Sequence, residues 1–390
     1  MASPLRQVGG TAAVAPPTAP PPSLLRLFPG LTLAAFLLPI AAGLLGTLLP
    51  AFGYLPALGG RSLGLAPWQQ LFAHPSLPGA LKVTLASGIP SSLLACAVVI
   101  GFVATCHETR LFGRVRRLLA PLLAMPHAAA AIGLAFLIAP SGLILRLLSP
   151  WATGSELPPD LLILRHPWGL SLALGLTVKE VPFLLLMTLG ALSQTQATRH
   201  LAVARTLGYG PATAWLKTVL PAVYPQIRLP IYAVLAYSLS VVDMAMILGP
   251  ATPPSLAVLV FHWFNDPDLS LRFVGAAGAI LQLIVVAAAI GLWRLGECLA
   301  ARLGRRWLTG GRRGGGAPLA RHLAAGGMLA IAGLGLANLA VLALWSVTQR
   351  WRFPDSLPSA WTLATWERHL DALLATTGTT FVIGLLAALI

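Results

Sequence analysis

Ionisable side chains inside apolar sequence are the natural place to look for chemistry, and this chain holds four of note. Lys179 and Glu180 interrupt the run LSLALGLTVKEVPFLLLMTLG just before Pro182. Asp243 interrupts YSLSVVDMAMILGP, and His127 follows Pro126 ahead of the small-residue run AAAAIG. A lone charge at mid-bilayer costs about 2.5–3.5 kcal/mol, so such groups face water or a partner. For Lys179 and Glu180 the choices are lining a path or its inner gate, or an interhelical contact. Adjacent helix residues do not face each other, so the two are not read as a pair. Asp243 is expected near the middle of a span, lining a path or accepting hydrogen bonds from Ser238 or Ser240. His127 is either a polar group beside the path or a hydrogen-bonded structural residue. Met244 and Met246 read as packing.

Other chemistry finds little support. Cys96, Cys106 and Cys298 show no metal or redox spacing, and Cys96 falls within a span. His262, Asp266 and Asp268 fall in one loop, where a solvated or docking face is favoured over a metal site. Lys82, Lys179 and Lys217 are the only lysines, and none follows a glycine, so a phosphate-binding Gly-Lys loop is absent. GGRRGGG, at 310–316, reads as a flexible linker or a phospholipid-facing basic patch.

The elements that position these residues are membrane spans. Of 390 residues, 57% are hydrophobic and 9% charged, and the mean hydropathy is +0.81. Soluble proteins carry about 25% charged residues. The fold class is therefore an all-α polytopic membrane protein. Residues 1–30, rich in Ala and Pro, read as a disordered tail. Spans are expected at about 31–50, 81–104, 118–139, 169–192, 229–249, 273–293, 323–347 and from 372 to the end. Residues 294–322 read as a basic linker, 51–79, 250–271 and 348–371 as loops, and 140–168 as a loop with short apolar pieces or a helix lying at the surface.

The net charge of +15 raises nucleic acid as a partner. Its distribution argues for membrane orientation instead. With the N-terminus inside, seventeen Lys and Arg fall in inside segments and seven in outside segments. That bias predicts N-inside and places 193–224 in the cytoplasm.

Residues 202–221, AVARTLGYGPATAWLKTVLP, lie between two spans and carry Arg205 and Lys217 without an acid. Gly208 and Gly210 accept φ > 0, and Pro211 suits the first position of a helix. The stretch predicts a short helix to about Leu207, a Gly-Tyr-Gly turn, and a second short helix to about Val219. Leu220-Pro221 is then expected to redirect the chain. An ordinary amphipathic connector is the competing reading.

This spacing resembles the coupling loop of ATP-binding cassette importer permeases. There Glu-Ala-Ala precedes a Gly by four residues, and Ile-x-Leu-Pro begins ten residues after it. Ala204, Gly208, Leu220 and Pro221 fall in register. Ala202 stands where the family has Glu, Val203 replaces an Ala, and Thr218 replaces the Ile. Residues 224–259 further resemble the fifth span and following loop of the thiamine, ferric-iron and sulfate-type group.

The resemblance implies a permease subunit in a bacterial inner membrane, without its own nucleotide site or cofactor. It implies cytoplasmic ATPase subunits that bind ATP and a periplasmic or extracellular solute-binding protein. The coupling positions would be Ala202, Ala204, Arg205, Gly208, Gly210, Lys217, Leu220 and Pro221. The candidate path would hold His127, Lys179, Glu180 and Asp243. A weak repeat at an offset of 292 matches Ala80, Leu81, Thr84, Leu93, Leu94 and Ala95 to Ala372, Leu373, Thr376, Leu385, Leu386 and Ala387. It would make 31–293 one six-span unit and 323–390 the first two spans of a second, so the chain reads as a truncated double permease. Two other classes stay open. One is an ion- or proton-coupled transporter using Glu180 and Asp243. The other is a membrane enzyme using His127 and Asp243, against which the lack of a clustered acid, base and nucleophile weighs.

Overall fold

Hydropathy alone places eight helices of membrane-crossing length in this chain, and the computed structural model contains eight among its described residues, 28–314 and 318–389. The tail expected at 1–30 lies outside the described residues as far as 27. Its last three positions, Phe28, Pro29 and Gly30, instead form the first turn of a helix.

In chain order the helices are α1 (Phe28–Ala51), α2 (Ala66–Ala73), α3 (Leu77–Cys106), α4 (Arg110–Ala124), α5 (His127–Ile138), α6 (Leu143–Leu148) and α7 (Leu170–Ser193). They continue with α8 (Ala197–Thr206), α9 (Pro211–Ala214), α10 (Leu220–Ser240), α11 (Asp243–Leu248), α12 (Leu256–Phe264), α13 (Leu271–Thr309), α14 (Pro318–Ser346) and α15 (Ala364–Leu389). A short antiparallel pair, β1 (Thr348–Arg350) and β2 (Ala360–Trp361), joins the last two.

At the centre, α3 packs on α7, α10 and α14. Small residues permit this close approach. A Cβ on Gly88 would lie 2.8 Å from Leu239 Cδ2 and 3.0 Å from the Ser238 carbonyl oxygen, so α3 and α10 meet almost backbone to backbone. The core around them joins Phe102, Leu185, Trp215 and Ile231. Helix α1 buries only Pro50 and Ala51, and α15 buries no side chain, which leaves two apolar helices facing outward.

Several boundaries differ from expectation. The third span is broken: α4 ends at Ala124, Met125-Pro126 is extended, and α5 starts at His127. Pro126 has no N–H to continue the helix. The fifth span ends at Ser240 rather than 249, and Val241 is extended. The expected linker at 294–322 is helical as far as Thr309 and again from Pro318. The loops at 51–79 and 250–271 contain α2 and α12, whereas α6 falls in 140–168, where a short helix is one of the two readings.

Candidate functional site

The corner after α7 is built by local rules. α8 ends at Thr206, Gly208 takes φ +82°, and Pro211 opens α9. A non-glycine residue in that region costs about 1–2 kcal/mol. Gly210 is extended at φ −64° and does not use the freedom expected of it. Trp215–Val219 then forms a π-helical turn that runs directly into α10. Leu220-Pro221 was expected to redirect the chain, and it does not. Widening the turn lets the Leu220 N–H reach the Trp215 carbonyl oxygen, so the proline, which lacks an N–H, is absorbed without a break. Pro211–Ser240 is one continuous helical run.

Ala204 is buried in the corner, while Ala202 and Arg205 are exposed. Arg205 pairs with Glu108 in the α3–α4 turn. Both partners are near half exposed, so the pair contributes at most about 1 kcal/mol. The Gly210 N–H donates to the Arg313 carbonyl oxygen at 3.1 Å, which brings the segment after α13 onto the corner.

The four candidate path residues separate into two groups. Lys179 and Glu180 are buried, 7% and 3% exposed, while His127 and Asp243 are exposed. Lys179 donates to the carbonyl oxygens of Met125 at 2.6 Å and Leu122 at 3.2 Å. Those carbonyls end α4, where the Pro126 break leaves them without helical donors. Glu180 accepts from Ser238, and Ser92 donates to Ser238 at 3.2 Å, so α3, α7 and α10 share one polar junction.

Asp243 is not mid-helix. It opens α11 just past the Val241 break. Nor does it take the serines expected of it: Ser238 serves Glu180, and Ser240 donates to the Ala236 carbonyl oxygen at 2.7 Å. The break itself is held by Gln282 of α13, whose side-chain amide donates to the Leu239 carbonyl oxygen at 3.0 Å. The two breaks are neighbours, because α5 packs on α11 and the His127 ring lies 4.8 Å from that of Tyr237.

Sequence reasoning missed Gln282, Tyr237 and Glu297. Glu297 gathers Tyr224 at 2.8 Å, Tyr232 at 3.1 Å, Arg294 at 2.6 Å and Arg228 at 3.1 Å, locking α13 to α10. A single acid among the arginines that follow the sixth span was the available signal.

The fold and these breaks define a multi-pass, all-α membrane protein. No family model matches the chain. It is 35% identical over 239 residues to the inner membrane ABC transporter permease protein YnjC of Escherichia coli (strain K12). The match covers 60% of this chain and 44% of that protein, so the chain spans less than half the length of that relative.

Proposed function

We propose that this chain is the membrane-spanning permease part of an ATP-driven importer, and that the corner at 202–221 docks on a separate ATPase. The observation that carries this reading is the continuous helical run from Pro211 to Ser240. It joins the glycine corner at one end to Tyr237, His127 and the Asp243 break at the other. A push on the corner would reach the broken helices along one helix that passes through the π turn and Pro225 and Pro230 without losing continuity. Discontinuous helices beside polar groups are a recurring way to build a transport path.

His127 and Asp243 then face the path, and Lys179 and Glu180 hold the helices that shape it. Glu180 is enclosed and bound to a serine, which disfavours the proton-relay alternative. ATP belongs to the partner ATPase, a solute-binding protein serves the outer face, and a second permease unit completes the path. The basic asymmetry supports an N-terminus on the ATPase side. The likeness of residues 224–259 to thiamine, ferric-iron and sulfate-type permeases supports import.

The test is co-purification with a co-expressed cytoplasmic ABC ATPase. Gly208→Val should insert normally yet lose the ATPase, because a side chain at φ +82° tilts α8 against α9. If Gly208→Val retained both the ATPase and solute-stimulated hydrolysis, the coupling role would be withdrawn.

A further inference from the structure

Beside the corner, where α3 ends and α14 begins, two adjoining chambers form a cleft. The inner chamber, about 240 Å³, is lined by Thr105, His107, Glu108, Arg205, Trp215 and Arg321 among others. The outer chamber, about 580 Å³, is mostly apolar, with Cys106, Leu111, Pro211, Ala212, Pro318 and Ala325 in its wall. Thr105, Thr109, Pro211 and Arg321 belong to both.

Among the described residues, two buried polar atoms of the inner wall have no partner: the indole Nε1 of Trp215 and Nδ1 of His107. Trp215 is 1% exposed. An indole N–H only donates, so its missing partner is an acceptor. Glu108 is the one acid in that wall, and Arg205 already holds it. Arg321 has no acidic partner among the described residues. The inner chamber therefore offers a surplus of positive charge, with an unused donor buried in its wall. The outer chamber offers an apolar slot at the level where two spans meet the surface.

We propose that this cleft binds an anionic phospholipid. Its phosphate would take the Trp215 N–H and the Arg321 guanidinium, and an acyl chain would lie along Leu111 and Ala325. A basic pocket between spans beside an apolar groove suits that amphipathic anion. Because Pro211 and Trp215 belong to the corner, a lipid seated there braces it. The proposal does not depend on the transport reading, and its test uses no transport assay.

The full chain, purified in a neutral detergent, is titrated with phosphatidylglycerol, phosphatidylcholine or inorganic phosphate. Lipid retained is read by native mass spectrometry, and thermal stability is followed in parallel. One phosphatidylglycerol should be retained saturably and raise the melting temperature, and phosphatidylcholine and phosphate should not. Arg321→Gln, at an exposed site, should weaken retention about fivefold, as expected for one cation at a membrane surface. Trp215→Phe should weaken it as well, while Arg302→Gln on α13 should not. Equal stabilisation by inorganic phosphate would replace the lipid with a free-anion site and overturn the proposal. Retention unchanged by Arg321→Gln, or lowered equally by Arg302→Gln, would overturn it too.

Discussion

Lys217 Nζ donates to the Gly310 carbonyl oxygen at 2.7 Å, which fastens the end of α13 to the corner ninety-three residues earlier. The same ammonium lies 5.1 Å from the Tyr209 ring centre and 4.9 Å from that of Trp307. Gly310 caps α13, so the cation also meets the negative end of a helix. Lys217→Ala should free residues 310–314. Trypsin cleavage at Arg312 or Arg313 should then accelerate about tenfold, the ratio set by about 1.4 kcal/mol of local opening. Cleavage at the parent rate would mean that Lys217 does not strap α13 to the corner.

Lys179 is expected to matter for stability. Lys179→Met leaves the Leu122 and Met125 carbonyl oxygens without a donor, at a cost of about 1–3 kcal/mol. Thermal unfolding in detergent should show the loss. A variant as stable as the parent would return Lys179 to the list of path residues.

Glu180 has no cation within ion-pair distance among the described residues. Glu180→Gln keeps the contact with Ser238 and carries no charge, so it should match the parent in stability. Glu180→Lys should fail to fold. A Gln variant as damaged as the Lys variant would mean that the carboxylate charge is required.

Asp243 is exposed at the first turn of α11, where an acid contributes about 0.3–1 kcal/mol. Asp243→Asn should therefore reach the membrane in normal amounts while solute uptake falls. Unaltered uptake would reduce Asp243 to a favourable charge at the start of α11.

Burial holds the His107 imidazole below the usual histidine range; Glu108 opposes the shift and Arg205 reinforces it. The unfolded chain therefore takes up this proton first. The contribution is fully present above about pH 6.5 and is lost as pH falls below it. Between about pH 7 and pH 5 the His107→Gln variant should lose less stability than the parent. Equal losses would place the acid sensitivity elsewhere.

Features that depend on neighbours along the chain were legible from the residues alone. All eight apolar runs became helical, the third in broken form, since no other backbone arrangement satisfies its hydrogen bonds in lipid except a closed barrel. The glycine corner was legible because Gly208 and Pro211 act through their own φ angles. The break at Met125-Pro126 carried a local sign in its proline.

Packing between distant helices set the rest. No proline or glycine marks the break after Ser240; Gln282, forty-three residues from Leu239, supplies the donor that makes it tolerable. Lys179 and Glu180 are adjacent in sequence but lie about 100° apart around α7. One meets the end of α4 and the other meets α10, because those helices occupy different sides of α7. Which buried polar group meets which orphaned carbonyl depends on helix placement, and no window of sequence contains both partners.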